Sequence, residues 1–312
     1  MTDLLKNPIF RDETKARAWL EARVWPQGPN CPHCGNVDPT KITKLDGEMH
    51  RPGLYQCNEG VCREQFTVTV KTVFERSKIP LTKWLAALFL MTASKKGISA
   101  HQVHRMLGIS YKSTWFMMHR LREAMRSGGL EPLGGAGQVV EADETYYGKP
   151  EGQPKHVRVK HSRPVVALVE RGGRVRTFHV PVATAVHVAT IVRENVARES
   201  RLHTDESALY TKVGREFSAH ETVKHTDYEY ARGDITTNTV ESYFSVFKRG
   251  MRGTYQHCAE KHLHRYLAEF DFRYNNRIAL GVDDGERAEQ LAKGIVGKRL
   301  TYRRTNGARS QA

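Results

Sequence analysis

Val139-Val140-Glu141-Ala142-Asp143-Glu144-Thr145 sets acidic residues inside a short apolar run with the β-branched character of a strand. The strand is expected over 138–144, with Asp143 at its end, where a half-buried carboxylate is costly without a cation. By period-two alternation Glu141 shares the Asp143 face and Glu144 points the other way, so both compete with Asp143 for any role there. Further strands are expected over 164–169 and 174–182, then a helix over 186–197. A short strand follows, ending near Asp205 in Leu202-His203-Thr204-Asp205-Glu206-Ser207. Helical patterns come at 208–217, 239–251 and 260–274. Strands mixed with helices predict an α/β or α+β domain with a central sheet.

A second acidic motif lies in Asn238-Thr239-Val240-Glu241-Ser242-Tyr243-Phe244-Ser245-Val246-Phe247-Lys248-Arg249. At about 100° per residue, Asn238, Glu241, Ser245 and Lys248 fall on one stripe of a helix, and Val240, Phe244, Phe247 and Met251 on another. The apolar stripe is expected to dock on the sheet, leaving Glu241 and Lys248 to face a cleft. Any one acidic residue alone reads as solvated surface. Asp143, Asp205 and Glu241 together suit divalent ions, which need oxygen ligands from several segments.

The chain has 312 residues, and 49 Lys and Arg against 34 Asp and Glu give a net charge of +15. Such an excess points to a polyanionic partner, nucleic acid before an anionic membrane, because no polybasic amphipathic helix dominates. Met1-Thr2-Asp3-Leu4-Leu5-Lys6-Asn7-Pro8 lacks the apolar core of a signal peptide, and the apolar run from Trp84 to Met91 is too short to span a bilayer. A cytoplasmic, nucleoid-associated protein is expected.

Four of the five cysteines cluster. Cys31-Pro32-His33-Cys34-Gly35 is a tight knuckle, and Cys57-Asn58-Glu59-Gly60-Val61-Cys62 a wider one. Paired thiolates at turn-like spacing predict a closed, structural four-cysteine zinc ribbon holding one Zn2+, with His33 and His50 as spare ligands. Cys258 stands alone and reads as an inert core thiol. A strand is expected over 65–70.

From Leu81 to Arg126 the pattern is helical. Lys95 to Trp115 resembles a helix-turn-helix, with Ser99 and Ser110 as N-caps and Leu107-Gly108-Ile109 as the turn. The first turn of its second helix would offer Tyr111, Lys112, Ser113 and Thr114 to a DNA groove. The alternative is a plain helical hairpin. Ser127-Gly128-Gly129 through Gly134-Gly135-Ala136-Gly137 reads as a glycine-rich linker.

Taken with Lys78-Ile79-Pro80-Leu81-Thr82-Lys83-Trp84, Glu141-Ala142-Asp143-Glu144-Thr145-Tyr146, Thr237-Asn238-Thr239-Val240-Glu241-Ser242-Tyr243-Phe244, Phe247-Lys248-Arg249-Gly250 and Phe272-Arg273-Tyr274-Asn275-Asn276-Arg277, the chain resembles a DDE transposase of the bacterial insertion-sequence type. Such proteins carry an N-terminal zinc ribbon before an RNase H-like, integrase-type catalytic domain.

The resemblance implies a multidomain α+β protein: an N-terminal segment and ribbon (1–77), a helix-turn-helix-like DNA-binding region (78–128), the linker (129–137), an RNase H-like mixed α/β catalytic domain (138–280) and a basic C-terminal tail (281–312). It further implies that Asp143, Asp205 and Glu241 hold two Mg2+ or Mn2+ ions, with Asn238 the alternative third ligand. Lys248 would position a phosphate, with Arg249 beside it on DNA. The expected activity is 3′-end cleavage at the element's inverted-repeat ends and strand transfer into target double-stranded DNA, by a homodimer or larger assembly that bridges the ends. Two alternatives stay open: a non-catalytic zinc-ribbon regulator, and an RNase H-like nuclease that cuts without joining.

Overall fold

The computed structural model describes residues 6–128, 131–148 and 163–301, so Gly129 and Leu130 of the expected linker and positions 302–312 of the expected tail lie outside the described residues. In chain order the elements are α1 (Glu13–Val24), β1 (Ile42–Leu45), β2 (Leu54–Cys57), β3 (Gln65–Phe66), α2 (Leu81–Ala93), α3 (Ala100–Leu107) and α4 (Tyr111–Met125). There follow β4 (Val139–Tyr147), β5 (Arg163–Glu170), β6 (Val175–His179), α5 (Ala185–Asn195), β7 (Arg201–Thr204), α6 (Thr211–Gly214) and β8 (Ala219–Thr222). Then come β9 (Ala231–Arg232), β10 (Ile235–Thr236), α7 (Asn238–Gly250), α8 (Leu263–Asn275) and α9 (Asp284–Lys293). No described helix is long and apolar enough to cross a membrane.

One unit comprises the residues up to Ser94, Ile98–Met125 and those from Asp284 on. Its ribbon is the antiparallel sheet β1-β2-β3, and Trp25 packs edge-on against Tyr55 and Phe66 of that sheet. The strand expected over 65–70 stops at Phe66, because a turn that bonds Val70 N to Thr67 O takes over. Helix α2 is apolar all round and buries Leu81, Trp84, Leu85, Leu88 and Met91, as a helix without a polar face must. Pro80 gives α2 no side-chain cap, so Glu13 accepts the amides of Leu81 and Thr82 at 2.7 and 3.2 Å instead.

Where the sequence from 281 on reads as a basic tail, the chain instead forms α9, which packs on α1 and α2. Arg287 of α9 donates to Thr92 O at 3.0 Å, and Arg23 of α1 meets Glu289 at 2.5 Å. Beyond the helix, Val73 N bonds Ile295 O and Gly297 N bonds Lys71 O. The apolar residues Ala288, Leu291, Ala292 and Ile295, all fully buried, explain the docking.

The second unit holds 126–283 together with Lys95–Gly97. Its five-stranded sheet runs β6-β5-β4-β7-β8, with β4, β7 and β8 parallel and β5 and β6 antiparallel. Alternation along β4 and β5 splits the core in two. Val140, Ala142, Val166 and Leu168 pack with α5 on one face, while Val165, Ala167 and Val169 meet α7 and α8 on the other. Residues 208–217, expected as a helix, hold only the short α6. Strand β4 runs to Tyr147, past its expected end, because Thr145, Tyr146 and Tyr147 keep pairing with β5. Asp143 therefore stands in mid-strand.

Gly250 explains the end of the Phe-Lys-Arg-Gly motif. A Cβ there would lie 2.5 Å from the Phe270 ring and 2.7 Å from Lys96 O, so only glycine lets α7 lie this close to α8. Asp271, on α8, is half-buried against α7 and β6. It accepts Thr177 N at 3.0 Å, Thr177 Oγ1 at 2.9 Å and Tyr243 OH at 2.6 Å.

Burial outweighs those bonds and pushes the Asp271 carboxyl from 3.8 up to about 7. The folded protein then holds a proton that the unfolded chain releases, so this group's stabilisation is present at low pH and is lost as pH rises from about 4 through 7. Asp271→Asn should shrink the drop in melting temperature between pH 5 and 8, read by calorimetry. An identical drop in both proteins would show that Asp271 is already ionised in that range.

Candidate active site and metal centre

Parallel pairing of β4 with β7 matches Val139 with Arg201, Val140 with Leu202 and Glu141 with His203, and ends there. Continuing that register two residues sets Asp143 opposite Asp205, the residue just past β7. Asp143 is largely enclosed, and its carboxyl is pushed up to about 7, first by burial and then by the charges of Asp205, Glu144 and Glu241. Asp205 is raised as well, chiefly by burial, and its Oδ1 accepts Ser207 N at 3.0 Å.

Helix α7 brings the third carboxylate. Val240, Phe244, Phe247 and Met251 are buried as their spacing predicts, with Tyr243 beside them, which turns Asn238, Glu241 and Ser245 outward. Glu241 Oε1 accepts Thr237 Oγ1 at 2.9 Å and stands 3.2 Å from His225 Nε2. Its charge acts on Asp143, so the three expected carboxylates share one electrostatic neighbourhood. Asn238 is exposed at the first turn of α7, and Lys248, half-buried, lies two turns beyond Glu241. Arg249 is exposed, and its Nε donates back to Ser245 O.

The structure separates the two competing glutamates. Glu144 lies on the α5 side of the sheet, where the fully buried Tyr210 hydroxyl donates to it at 3.0 Å. Glu141 is fully buried, and its oxygens are taken up by Arg171, Thr239 and the backbone of α7. Both oxygens of Glu141 are thus engaged, and Tyr210 takes one oxygen of Glu144.

His225 is a neighbour that the sequence did not single out. Besides Glu241, its charge reaches Asp205, and its backbone amide donates to Glu206 at 2.6 Å. No motif surrounds His225, so only the fold could reveal it. Buried His203, the β7 partner of Glu141, accepts from Arg171 at Nδ1 and meets Glu221 at 3.0 Å through Nε2. Burial and the Arg171 charge hold its pKa below the usual value, which fits a neutral ring bridging a cation and an anion.

In the other unit, the helix-turn-helix-like pair is α3 and α4. Ser99 Oγ accepts Gln102 N at 3.1 Å, Ser110 Oγ accepts Ser113 N at 3.2 Å, and Gly108 ends α3 in the left-handed conformation that favours glycine. Tyr111, Lys112 and Ser113 are exposed, and the Tyr111 ring stacks on His101 at 4.1 Å. Thr114 departs from expectation: it is buried, and its hydroxyl donates to Ser110 O. It presents nothing to a groove.

Cys31, Cys34, Cys57 and Cys62 converge so that all four Sγ atoms lie within 4.8 Å of one another, the one such group of His, Cys, Asp or Glu among the described residues. Cys31 to Cys62 and Cys34 to Cys57 are each 3.7 Å. A tetrahedral zinc with bonds of about 2.3 Å needs sulfur separations of about 3.8 Å, while a disulfide needs about 2.0 Å. The four thiols fit a closed zinc site. Cys258 is half-buried at the edge of the α7–α8 core.

The purified chain should therefore carry one zinc, measured by elemental analysis. Cys34→Ser or a strong chelator should remove it and melt the ribbon, while the sheet unit keeps its own unfolding transition. Full zinc content in Cys34→Ser would take Cys34 out of the ligand set.

A family profile described as ISXO2-like transposase domain matches residues 132–275, which take in Asp143, Asp205 and Glu241. A second, described as transposase zinc-ribbon domain, matches residues 11–65, with all four clustered cysteines. A Halobacterium salinarum protein, described as "Uncharacterized protein in transposable element ISH50", is 26% identical over 281 residues, spanning 85% of this chain and 91% of that protein. The chain thus carries a transposase zinc-ribbon domain followed by an ISXO2-like transposase domain.

Proposed function

We propose that the protein binds the ends of its own insertion sequence, cleaves their 3′ ends and joins them to target DNA. The observation that carries this reading is that Asp205 at a strand end and Glu241 on a helix both act by charge on Asp143 in mid-sheet, whose carboxyl is raised to about 7 by burial first and then by those charges. The sheet order, which numbered within the sheet is 3-2-1-4-5 with the middle strand bearing the first aspartate, supports an RNase H-like assignment.

Carboxylate oxygens from three elements fit hard divalent cations, and a cation would relieve the repulsion that lifts Asp143. Bound there, Mg2+ or Mn2+ would supply activation of the attacking oxygen and stabilisation of the leaving one. Asp143, Asp205 and Glu241 would hold these ions. Lys248, on the Glu241 stripe, would hold the phosphate beside the cut. Water attacks phosphorus first and releases a 3′-hydroxyl. That hydroxyl then attacks a target phosphate, forming one P–O bond as another breaks, with no bond to the protein.

Tyr111, Lys112 and Ser113 at the start of α4 are exposed where a groove-reading helix needs them, and with the ribbon they would recognise element ends. The excess of Lys and Arg would supply the salt-dependent bulk of affinity for double-stranded DNA. Bringing two ends together calls for a homodimer or larger assembly, working on the nucleoid in the cytoplasm.

Asp205→Ala should abolish Mg2+-dependent nicking of element ends and leave end binding nearly intact, because a ligand is lost and not a DNA contact. A purified variant that still nicks would remove Asp205 from the site. Glu241→Ala and Asn238→Ala, assayed side by side, identify the third ligand, and Glu241 is expected to be the one whose loss is fatal.

Lys248→Ala should make the slope of log affinity against log salt shallower by about one, with joining reduced more than binding. Unchanged joining and an unchanged slope would assign Lys248 to a solvated face.

A further inference from the structure

We propose that Glu141 is the positioning residue of the carboxylate site: its buried carboxylate ties the start of α7 to β4 and so sets where Glu241 stands relative to Asp143. The proposal rests on the reading of Asp143, Asp205 and Glu241 as metal ligands. Glu141 Oε2 accepts Thr239 N at 2.8 Å and Val240 N at 3.0 Å. Its Oε1 accepts Thr239 Oγ1 at 2.8 Å, Arg171 Nη2 at 2.8 Å and Arg171 Nε at 3.1 Å. Five donors on two oxygens leave no lone pair for an ion, so Glu141 acts through what it holds.

A helix start is ordinarily capped by the residue just before it. Thr237, in that position here, makes no cap bond, and its hydroxyl turns to Glu241 Oε1 instead. The orphan amides of α7 are met by a carboxylate 98 residues earlier in the chain. A local cap would hold the helix only to itself; this one holds it to the strand that carries Asp143. Glu141 precedes Asp143 by two residues, and Thr239 precedes Glu241 by two, so the bond links the two ligands with two residues on either side.

Arg171 closes the arrangement. Its Nη1 donates to Asp234 O at 2.7 Å and its Nη2 to Thr236 O at 3.3 Å, which fixes the β9–β10 hairpin feeding α7. The same Nη2 reaches His203 Nδ1, opposite Glu141 in the β4–β7 ladder. Ions about 3.5–4 Å apart require ligands placed to within about 0.5 Å, and a misplacement of about 1 Å costs about a hundredfold in rate. A remote, fully satisfied cap can meet that tolerance.

Glu141→Asp keeps the charge but withdraws the carboxylate by one methylene, so it cannot hold Arg171 and the α7 amides together. Glu141→Gln keeps the length and replaces one acceptor oxygen with an NH2 that faces donors. Each full-length variant would be loaded with Fe2+ in place of Mg2+ and treated with ascorbate and peroxide, which cuts the backbone beside the bound ion. In the wild type, cuts are expected near residues 143, 205 and 241.

In Glu141→Asp the cut near 241 should weaken at least fivefold while those near 143 and 205 persist. The Mg2+ concentration for half-maximal nicking should rise at least tenfold with end binding unchanged. Three cuts of wild-type strength and an unchanged Mg2+ requirement in Glu141→Asp would overturn the positioning role alone. Absence of all three cuts in the wild type would overturn the ligand reading and this proposal with it. If Glu141→Gln does not fold, Glu141→Asp decides, because it keeps a negative charge beside Arg171.

Discussion

The parallel ladder between β4 and β7 ends at the Glu141–His203 pair, two residues short of Asp143, and the candidate site depends on its ending there. Beyond that point β4 continues against β5 alone, out to Tyr147. Asp143 thus sits on a rigid strand whose other flank is open, in the crevice that forms where neighbouring parallel strands part. The chain leaving β7 places Asp205 on that flank. Helix α7 then needs only to cross the same face of the sheet for Glu241 to arrive. A longer ladder would have bridged the gap with backbone.

Acidic residues in the interior fall into two kinds, and hydrogen bonding tells them apart. Glu13, Glu141 and Asp271 each accept bonds from fixed donors, and each ties a helix to something distant in sequence. Asp143 has only its neighbour's amide, Glu144 N at 2.7 Å, against the charges of three other acids. Satisfied acids are scaffold. An acid set among like charges with a single donor is held in that state by the surrounding fold, and such groups mark functional sites.

Legibility in the sequence followed the range of the forces involved. Paired cysteines, the apolar stripe of α7 and the serine caps of α3 and α4 depend on residues a few positions apart, and each could be read directly. The role of Glu141 could not, because its donors come 98 residues later; it stood only as a competitor to Asp143. His225 carries no motif, and the placement of its ring against Glu241 depends on Glu206 gripping its turn. Thr114 sits on the right turn of the right helix, yet burial assigns its hydroxyl to its own backbone. Alternation correctly assigned the faces of Glu141 and Glu144, although it left the end of β4 too early. The basic composition after residue 281 hid the apolar spacing of α9.

That last helix has a consequence for how the protein is made. The unit that begins at the N-terminus needs α9 to cover α2 and Ile295 to meet Val73, so it cannot be finished until those residues have left the ribosome. The sheet unit, complete at Asp283, can form first, although it lies later in the sequence than the ribbon. During synthesis the side of α2 that α9 covers waits through the translation of nearly two hundred residues, about 10–40 s at usual elongation rates of about 5–20 residues per second. A message cut short before α9 would yield a chain with an assembled sheet and an unclosed ribbon unit, exposing the surface that chaperones and proteases recognise. Chain length is in this way checked by folding itself.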